Sequence, residues 1–167
     1  MKLIDIDLSN IKLAVFDFDD TLAIHKDRDF MKKHFEAGEE SKNNYYFNAY
    51  INPDCFYDNI EPCEKSEALY RLVTILREKG IKMYCISGMK FSFHLKAKQA
   101  FLDKYYGNGI EVISAASQEL KLQGIKVLQK VNGCKLNEVM FVDDRQSVID
   151  LLVSSGVKGI LIDDITL

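Results

Sequence analysis

Apolar residues along this 167-residue chain fall into two alternating patterns. Short, mostly apolar runs with β-branched members occupy 11–16, 81–87, 110–113, 139–142 and 159–162. Runs of this length, bounded by polar residues or glycine, predict buried strands. Between them apolar residues return at helical spacing. Leu69, Leu72, Val73 and Leu76 stand at i, i+3, i+4 and i+7, with Gly80 as a C-terminal stop. Phe93, Ala97, Ala100 and Phe101 repeat the spacing. Ile125, Leu128 and Val131 form a third stripe ended by Gly133, and Val148, Leu151 and Leu152 a fourth ended by Gly156.

Strands alternating with helices predict an α/β fold with a mainly parallel, five-stranded sheet. Right-handed crossovers then bring every strand's C-terminal end to one edge, where ligands bind in open α/β sheets. Asp17, Ser87 and the pair Asp143-Asp144 are far apart in sequence, yet each follows a predicted strand, so they converge on that edge. The stretch 26–60 breaks the alternation. It opens with Lys26, Asp27, Arg28 and Asp29, then turns aromatic through Phe30, Phe35, Tyr45, Tyr46, Phe47, Tyr50, Phe56 and Tyr57. The two prolines, Pro53 and Pro62, lie near its end.

Composition narrows the class. A net charge of -3 leaves no basic footprint for nucleic-acid phosphates. No apolar run approaches a membrane span, and the first residues, Met1 to Asp5, lack the apolar core of a signal peptide. The four cysteines, Cys55, Cys63, Cys85 and Cys134, include no C-x-x-C pair, so they read as reduced thiols of a cytoplasmic protein. His25, His34 and His94 have no metal-ligand spacing and are expected at the surface.

The candidate chemistry sits in the acidic clusters. Carboxylates beside a core are costly unless a cation or hydrogen bonds compensate. A carboxylate can attack phosphorus, but a phosphate monoester repels it. A Mg²⁺ ion, a fixed lysine and hydrogen-bond donors remove that obstacle, and a second carboxyl protonates the departing oxygen and later activates water. An EF-hand is excluded at 17–28, because its sixth and twelfth positions are Leu22 and Arg28 in place of Gly and Glu.

The run Asp17-Phe18-Asp19-Asp20-Thr21 after an apolar strand resembles motif I of the haloacid dehalogenase-like hydrolases. Three further motifs of that family follow in order. Ser87-Gly88 ends a strand as motif II does. Lys121 stands where the motif III lysine is found, with Lys126 as its rival. Asp143-Asp144 closes an apolar strand as motif IV does. The resemblance covers 11–25 and 61–163 and implies a Rossmann-like three-layer sandwich with a small insertion after the first core strand, in one domain. It implies Asp17 as nucleophile and Asp19 as general acid/base, with Thr21 fixing the turn or orienting Asp19. Ser87 and the Gly88 N–H would hold a phosphoryl oxygen. Mg²⁺ would bind Asp17, the Asp19 carbonyl and Asp144, with Asp143 direct or through water. The presence of Asp19 points to phosphate-ester hydrolysis rather than carbon–halogen cleavage.

The stretch 26–60 is too short for that family's usual helical-bundle cap, so a minimally capped enzyme is expected. Its aromatics would pack a small helix on the core, form a dimer interface, or line the site entrance. The acidic pair Asp163-Asp164 reads as a solvated terminus. Three alternatives stand beside the phosphatase: a phosphotransferase using the same intermediate, an idle scaffold of this fold, and a receiver-type phosphoacceptor. Motif order weighs against the receiver, which places its acidic pair first and its lysine last. The substrate would be a small phosphorylated metabolite or a phosphorylated macromolecule, and a homo-oligomer remains open.

Overall fold

The computed structural model describes residues 2, 5–89, 91–115 and 118–167. Three residues of the leader reading, Met1, Leu3 and Ile4, lie outside them.

Five parallel strands form the central sheet: β1 (Leu13–Phe16), β4 (Lys82–Ser87), β5 (Ile110–Ser114), β6 (Val139–Asp143) and β7 (Lys158–Leu161). Their order is β5-β4-β1-β6-β7, so β1 is central and bonded on both sides, to β4 and β6. Each coincides with one of the five apolar runs. A near-continuous apolar run marks a strand covered on both faces, and every residue of β1 and β6 is buried.

Strand alternation sorts the core into two layers. Ala14, Phe16, Met83, Cys85, Met140 and Val142 face one side, against α4 (Ser66–Glu78) and α5 (Phe93–Tyr105). Leu13, Val15, Ile86, Val139 and Phe141 face the other, against α6 (Gln118–Val131) and α7 (Gln146–Ser154). The result is helix, sheet, helix, the three-layer α/β sandwich expected. Gly80 and Gly133 follow α4 and α6 at φ +69° and +63°, the left-handed geometry that ends a helix without a Cβ clash.

Three stripe positions differ from expectation. Val131 is 74% exposed, because it stands at the end of α6 beyond the sheet that Ile125 and Leu128 cover. Leu151 is only half-buried, while Val148, Ile149 and Leu152 carry the contact of α7. On α5, Ala100 faces solvent, and the buried stripe is His94, Ala97, Lys98, Phe101 and Leu102.

The insertion is larger than the single helix expected. Beyond β1 a short strand β2 (Ala23–His25) pairs antiparallel with β3 (Ile60–Pro62), and α1 (Arg28–Glu36), α2 (Glu39–Tyr50) and α3 (Pro53–Asn59) lie between them. Asp27 and Asn52 cap α1 and α3, each accepting from a backbone N–H with its side chain. The aromatics pack against α5 as a network. Phe56 meets Phe101 at 5.5 Å and Tyr50 at 4.9 Å, and Tyr50 meets His94 at 4.4 Å between ring centroids. Packing on the core is thus one role of these side chains. His25 belongs to the same layer: it is buried, and its Nδ1 is hydrogen-bonded to the Tyr45 hydroxyl at 2.6 Å. The surface expectation thus fails for His25 and His94, since the insertion covers both; His34 is half-buried. Asp163 and Asp164 are exposed, as read from the sequence.

Candidate active site

The central strand and its neighbour place the first carboxylates. Phe16 pairs with Val142 in the ladder between β1 and β6, and the Asp17 N–H donates to the Val142 carbonyl at 2.9 Å. The next residues along these parallel strands, Asp17 and Asp143, therefore stand side by side at the sheet edge. Asp17, Asp143 and Asp144 each bring one carboxylate oxygen within 4.8 Å of the others.

Cations hold this group together. Lys121, buried in the first turns of α6, places Nζ 2.7 Å from Asp17 Oδ1 and 3.1 Å from Asp143 Oδ2. Asp143 also accepts from the Arg145 backbone N–H at 3.0 Å. The Arg145 guanidinium spans all three acids, at 3.4 Å from Asp143 and 3.9 Å from both Asp17 and Asp144. Even so the negative charge is under-compensated. Burial raises the Asp17 carboxyl to about 7, with Asp143 and Asp19 adding to the rise and Lys121 opposing it. Burial and the neighbouring Asp143 raise Asp144 to about 6. Three converging hard oxygen donors with excess negative charge suit a divalent cation such as Mg²⁺.

Asp19, two residues on, faces away from this group. Its Oδ2 accepts from Lys98 Nζ at 2.8 Å and from the Ser87 hydroxyl at 3.1 Å, and Lys98 also donates to Ser87 Oγ at 2.6 Å. Lys98 is 2% exposed, with its ammonium 4.4 Å from the Phe18 ring centroid. Burial alone would raise Asp19, but the Lys98 charge and the hydrogen bonds from Lys98 and Ser87 outweigh it and hold the carboxyl below its ordinary value. Environment thus separates two carboxylates that are near neighbours in sequence, the arrangement by which acid, base and nucleophile roles are divided.

The turn between them is built by backbone. The Phe18 carbonyl accepts from the N–H groups of Leu22 and Ala23 at 2.9 and 3.0 Å, and Asp20 sits at φ +59° with an ion pair to Arg28 at 2.9 Å. The expectation for Thr21 needs correction in part. Its hydroxyl is buried and has no hydrogen-bond partner, so it does not orient Asp19 through a hydrogen bond, while its backbone N–H joins the turn by donating to the Phe18 carbonyl at 3.4 Å. Gly88, exposed at the end of β4, stands beside Ser87 at the site's rim. Lys121 rather than Lys126 reaches Asp17; Lys126 is half-buried on the neighbouring face of α6.

A cavity of about 280 Å³ opens next to Asp19, between α2 of the insertion and α5. Lys42, Tyr46, Met89, His94 and Lys98 line it. Two residues absent from the sequence reading, Lys98 and Arg145, therefore belong to the site. Lys98 had a signal: it stands four residues after His94, in phase with Ala97 and Phe101, so a lysine falls on the buried stripe of an amphipathic helix. Arg145 directly follows the acidic pair.

No protein-family model matches the chain, and no curated protein matches it in sequence. Solved structures do. An aspartyl-phosphate intermediate analogue of phosphoserine phosphatase superposes with a TM-score of 0.59 at 15% identity, covering 93% of this chain and 92% of its own. A haloacid dehalogenase family enzyme from Bacteroides thetaiotaomicron, in complex with magnesium and inorganic phosphate, gives 0.57 at 14% identity over 90% of this chain and 93% of its own. A haloacid dehalogenase superfamily hydrolase from Ehrlichia chaffeensis gives 0.56 at 17% identity over 90% and 87%. The chain therefore has the fold of the haloacid dehalogenase-like hydrolases.

Proposed function

We propose that the protein is a Mg²⁺-dependent phosphohydrolase of the haloacid dehalogenase type, which cleaves a phosphate monoester through an aspartyl-phosphate on Asp17. The observation that carries this reading is the division of labour at the turn after β1. Asp17 lies in an acidic group anchored by Lys121, while Asp19 lies on a separate lysine and serine facing the cavity. The magnesium- and phosphate-bound structure of similar fold, and the aspartyl-phosphate analogue, support it.

In this reading Asp17, Asp143 and Asp144 hold Mg²⁺, as would the Asp19 backbone carbonyl. The ion would supply positive charge against the negative charge of the phosphoryl group. Lys121 favours the ionised form of Asp17 and orients it, and Ser87 and the Gly88 N–H receive a phosphoryl oxygen. Asp17 attacks phosphorus, forming the carboxylate–phosphorus bond as the bond to the leaving oxygen breaks. Asp19 gives its proton to that oxygen, then takes one from the water that attacks phosphorus and frees phosphate. The resting carboxylate of Asp19 suits the second half-reaction. A phosphate dianion beside it favours the protonated form needed for the first.

No helix among the described residues is long and apolar enough to cross a membrane. Cys63, Cys85 and Cys134 are buried and all four cysteines are free, which fits the reducing cytoplasm we assign to it. Phosphate release from an aryl phosphate tests the activity. Turnover that requires Mg²⁺ and disappears in Asp17→Asn is expected; equal turnover in Asp17→Asn would refute the assignment.

A further inference from the structure

The cavity beside Asp19 contains two groups that hydrolysis of the phosphoryl group leaves unused. His94 lines the cavity at 2% exposure, and its buried Nε2 has no hydrogen-bond partner among the described residues. Leaving a buried nitrogen unpaired costs free energy that a ligand atom would recover. The ring has little freedom to turn away. Tyr50 lies 4.4 Å from it between centroids, Phe93 5.1 Å and Phe91 5.4 Å. Burial and the Lys98 charge hold the imidazole neutral, down to about 4, so in one of its tautomers it donates through Nε2.

The second group is Lys42 on α2. The other cation of the cavity, Lys98, is committed to Asp19 and Ser87. The carboxylate closest to Lys42, that of Glu39, is 3.5 Å away and 73% exposed, a pairing that water weakens. Lys42 sits over the Phe35 ring at 4.9 Å, on the insertion's side of the cavity. The wall opposite the catalytic turn therefore offers an ammonium and a neutral donor, with Asp19, the only carboxylate lining it among the described residues, already neutralised by Lys98.

Resting on the phosphohydrolase reading, we propose that this cavity is the leaving-group subsite and takes a small alcohol bearing a second anion, a carboxylate or phosphate, held by Lys42 and His94. A volume of about 280 Å³ suits a leaving group of a few carbons. The insertion thus selects substrate charge, while the sheet edge handles the phosphoryl group common to all substrates.

The test compares carboxyalkyl phosphates, with one to three carbons between the ester oxygen and the carboxylate, against alkyl phosphates of the same length, with p-nitrophenyl phosphate as a general probe. A hydrogen-bonded charge pair predicts a ratio of kcat/KM values of about tenfold or more in favour of one carboxylated member. In Lys42→Met and in His94→Phe that ratio falls toward one. In Lys42→Arg it is retained. In Lys42→Glu the preference turns to aminoalkyl phosphates, a gain that misfolding cannot produce. Turnover of all probes with a wild-type ratio near one, or a ratio unmoved by Lys42→Met and Lys42→Glu, would overturn the subsite and leave the phosphohydrolase standing. Absence of Mg²⁺-dependent turnover for every probe would overturn both.

Discussion

The two buried lysines of the site come from opposite faces of the sheet and do different work. Lys121, from α6, sits between Asp17 and Asp143, both nearly inaccessible to water. Lys98, from α5, meets Asp19, whose side chain is 40% exposed. The first lysine neutralises charge that water cannot reach, so the fold itself depends on it. The second orders a carboxylate that water does reach, so the fold depends on it less. One turn of chain, 17–19, thus joins a buried charge cluster to a more open one.

Substitutions sharpen this contrast. The largest effect belongs to Asp17→Asn, which is expected to lower turnover by roughly a thousandfold or more, because an amide cannot attack phosphorus. Single-turnover phosphate release measures it. Next comes stability. Lys121→Met strands two buried carboxylates and should cost about 3 kcal/mol, whereas Lys98→Met leaves Asp19 to solvent and should cost about 1 kcal/mol. Urea midpoints that fall equally for both would break the distinction between the two lysines. Magnesium should separate the two poles as well. At a hundred times its dissociation constant it would stabilise the wild type by about 2.7 kcal/mol, and Asp144→Asn should lose most of that gain in thermal melts while Lys98→Met keeps it.

A smaller effect is expected from pH on the side of α5. His94 is held below its ordinary value, so the folded state resists a proton that the unfolded chain accepts. Asp19 favours its protonation, whereas Lys98 and burial among Tyr46, Tyr50 and the phenylalanines oppose it. Its contribution is therefore complete above the unfolded value of about 6.5 and is lost as pH falls toward about 4, on the order of 2 kcal/mol in total. Denaturation at pH 7.5 and 4.5 should show this extra loss in the wild type and not in His94→Gln. Smallest of all, Val131→Lys on the exposed end of α6 should move stability by less than about 0.5 kcal/mol.

The sheet-edge pole was legible in the sequence because strands announce themselves as apolar runs, and a carboxylate at the end of such a run stands out. Asp17, Ser87 and Asp143-Asp144 were all marked in this way, and Lys121 by its distance from the acidic pair. The pole on α5 was hidden by helical ambiguity. Ala100 and Phe93 fit an apolar stripe as well as His94 and Lys98 do, until the helix's rotation against the sheet decides which residues face in. The insertion was harder still. Its helices are short, and α2 buries Tyr45, Ala49 and Tyr50 among asparagines and charges, so no clean apolar period identifies it. Its aromatic content was the visible signal, and tertiary packing on α5 gave that content its meaning. Thr21 shows the reverse case, where a motif position is filled but its hydroxyl makes no hydrogen bond.

The pairing of β2 with β3 has a consequence for how this protein can change. His25 and Ile60 face each other across one ladder, so the chain leaves the core and returns to it at adjacent points. A tight hairpin turn could join those points without moving any residue of the main sheet. Segments of very different size can therefore be exchanged there with the carboxylates of the sheet edge left in place. What resists such an exchange is the surface left behind: Phe18, Phe101 and Lys98 would lose the cover of Phe56 and Tyr50. Any replacement segment must bring an aromatic of its own to that place.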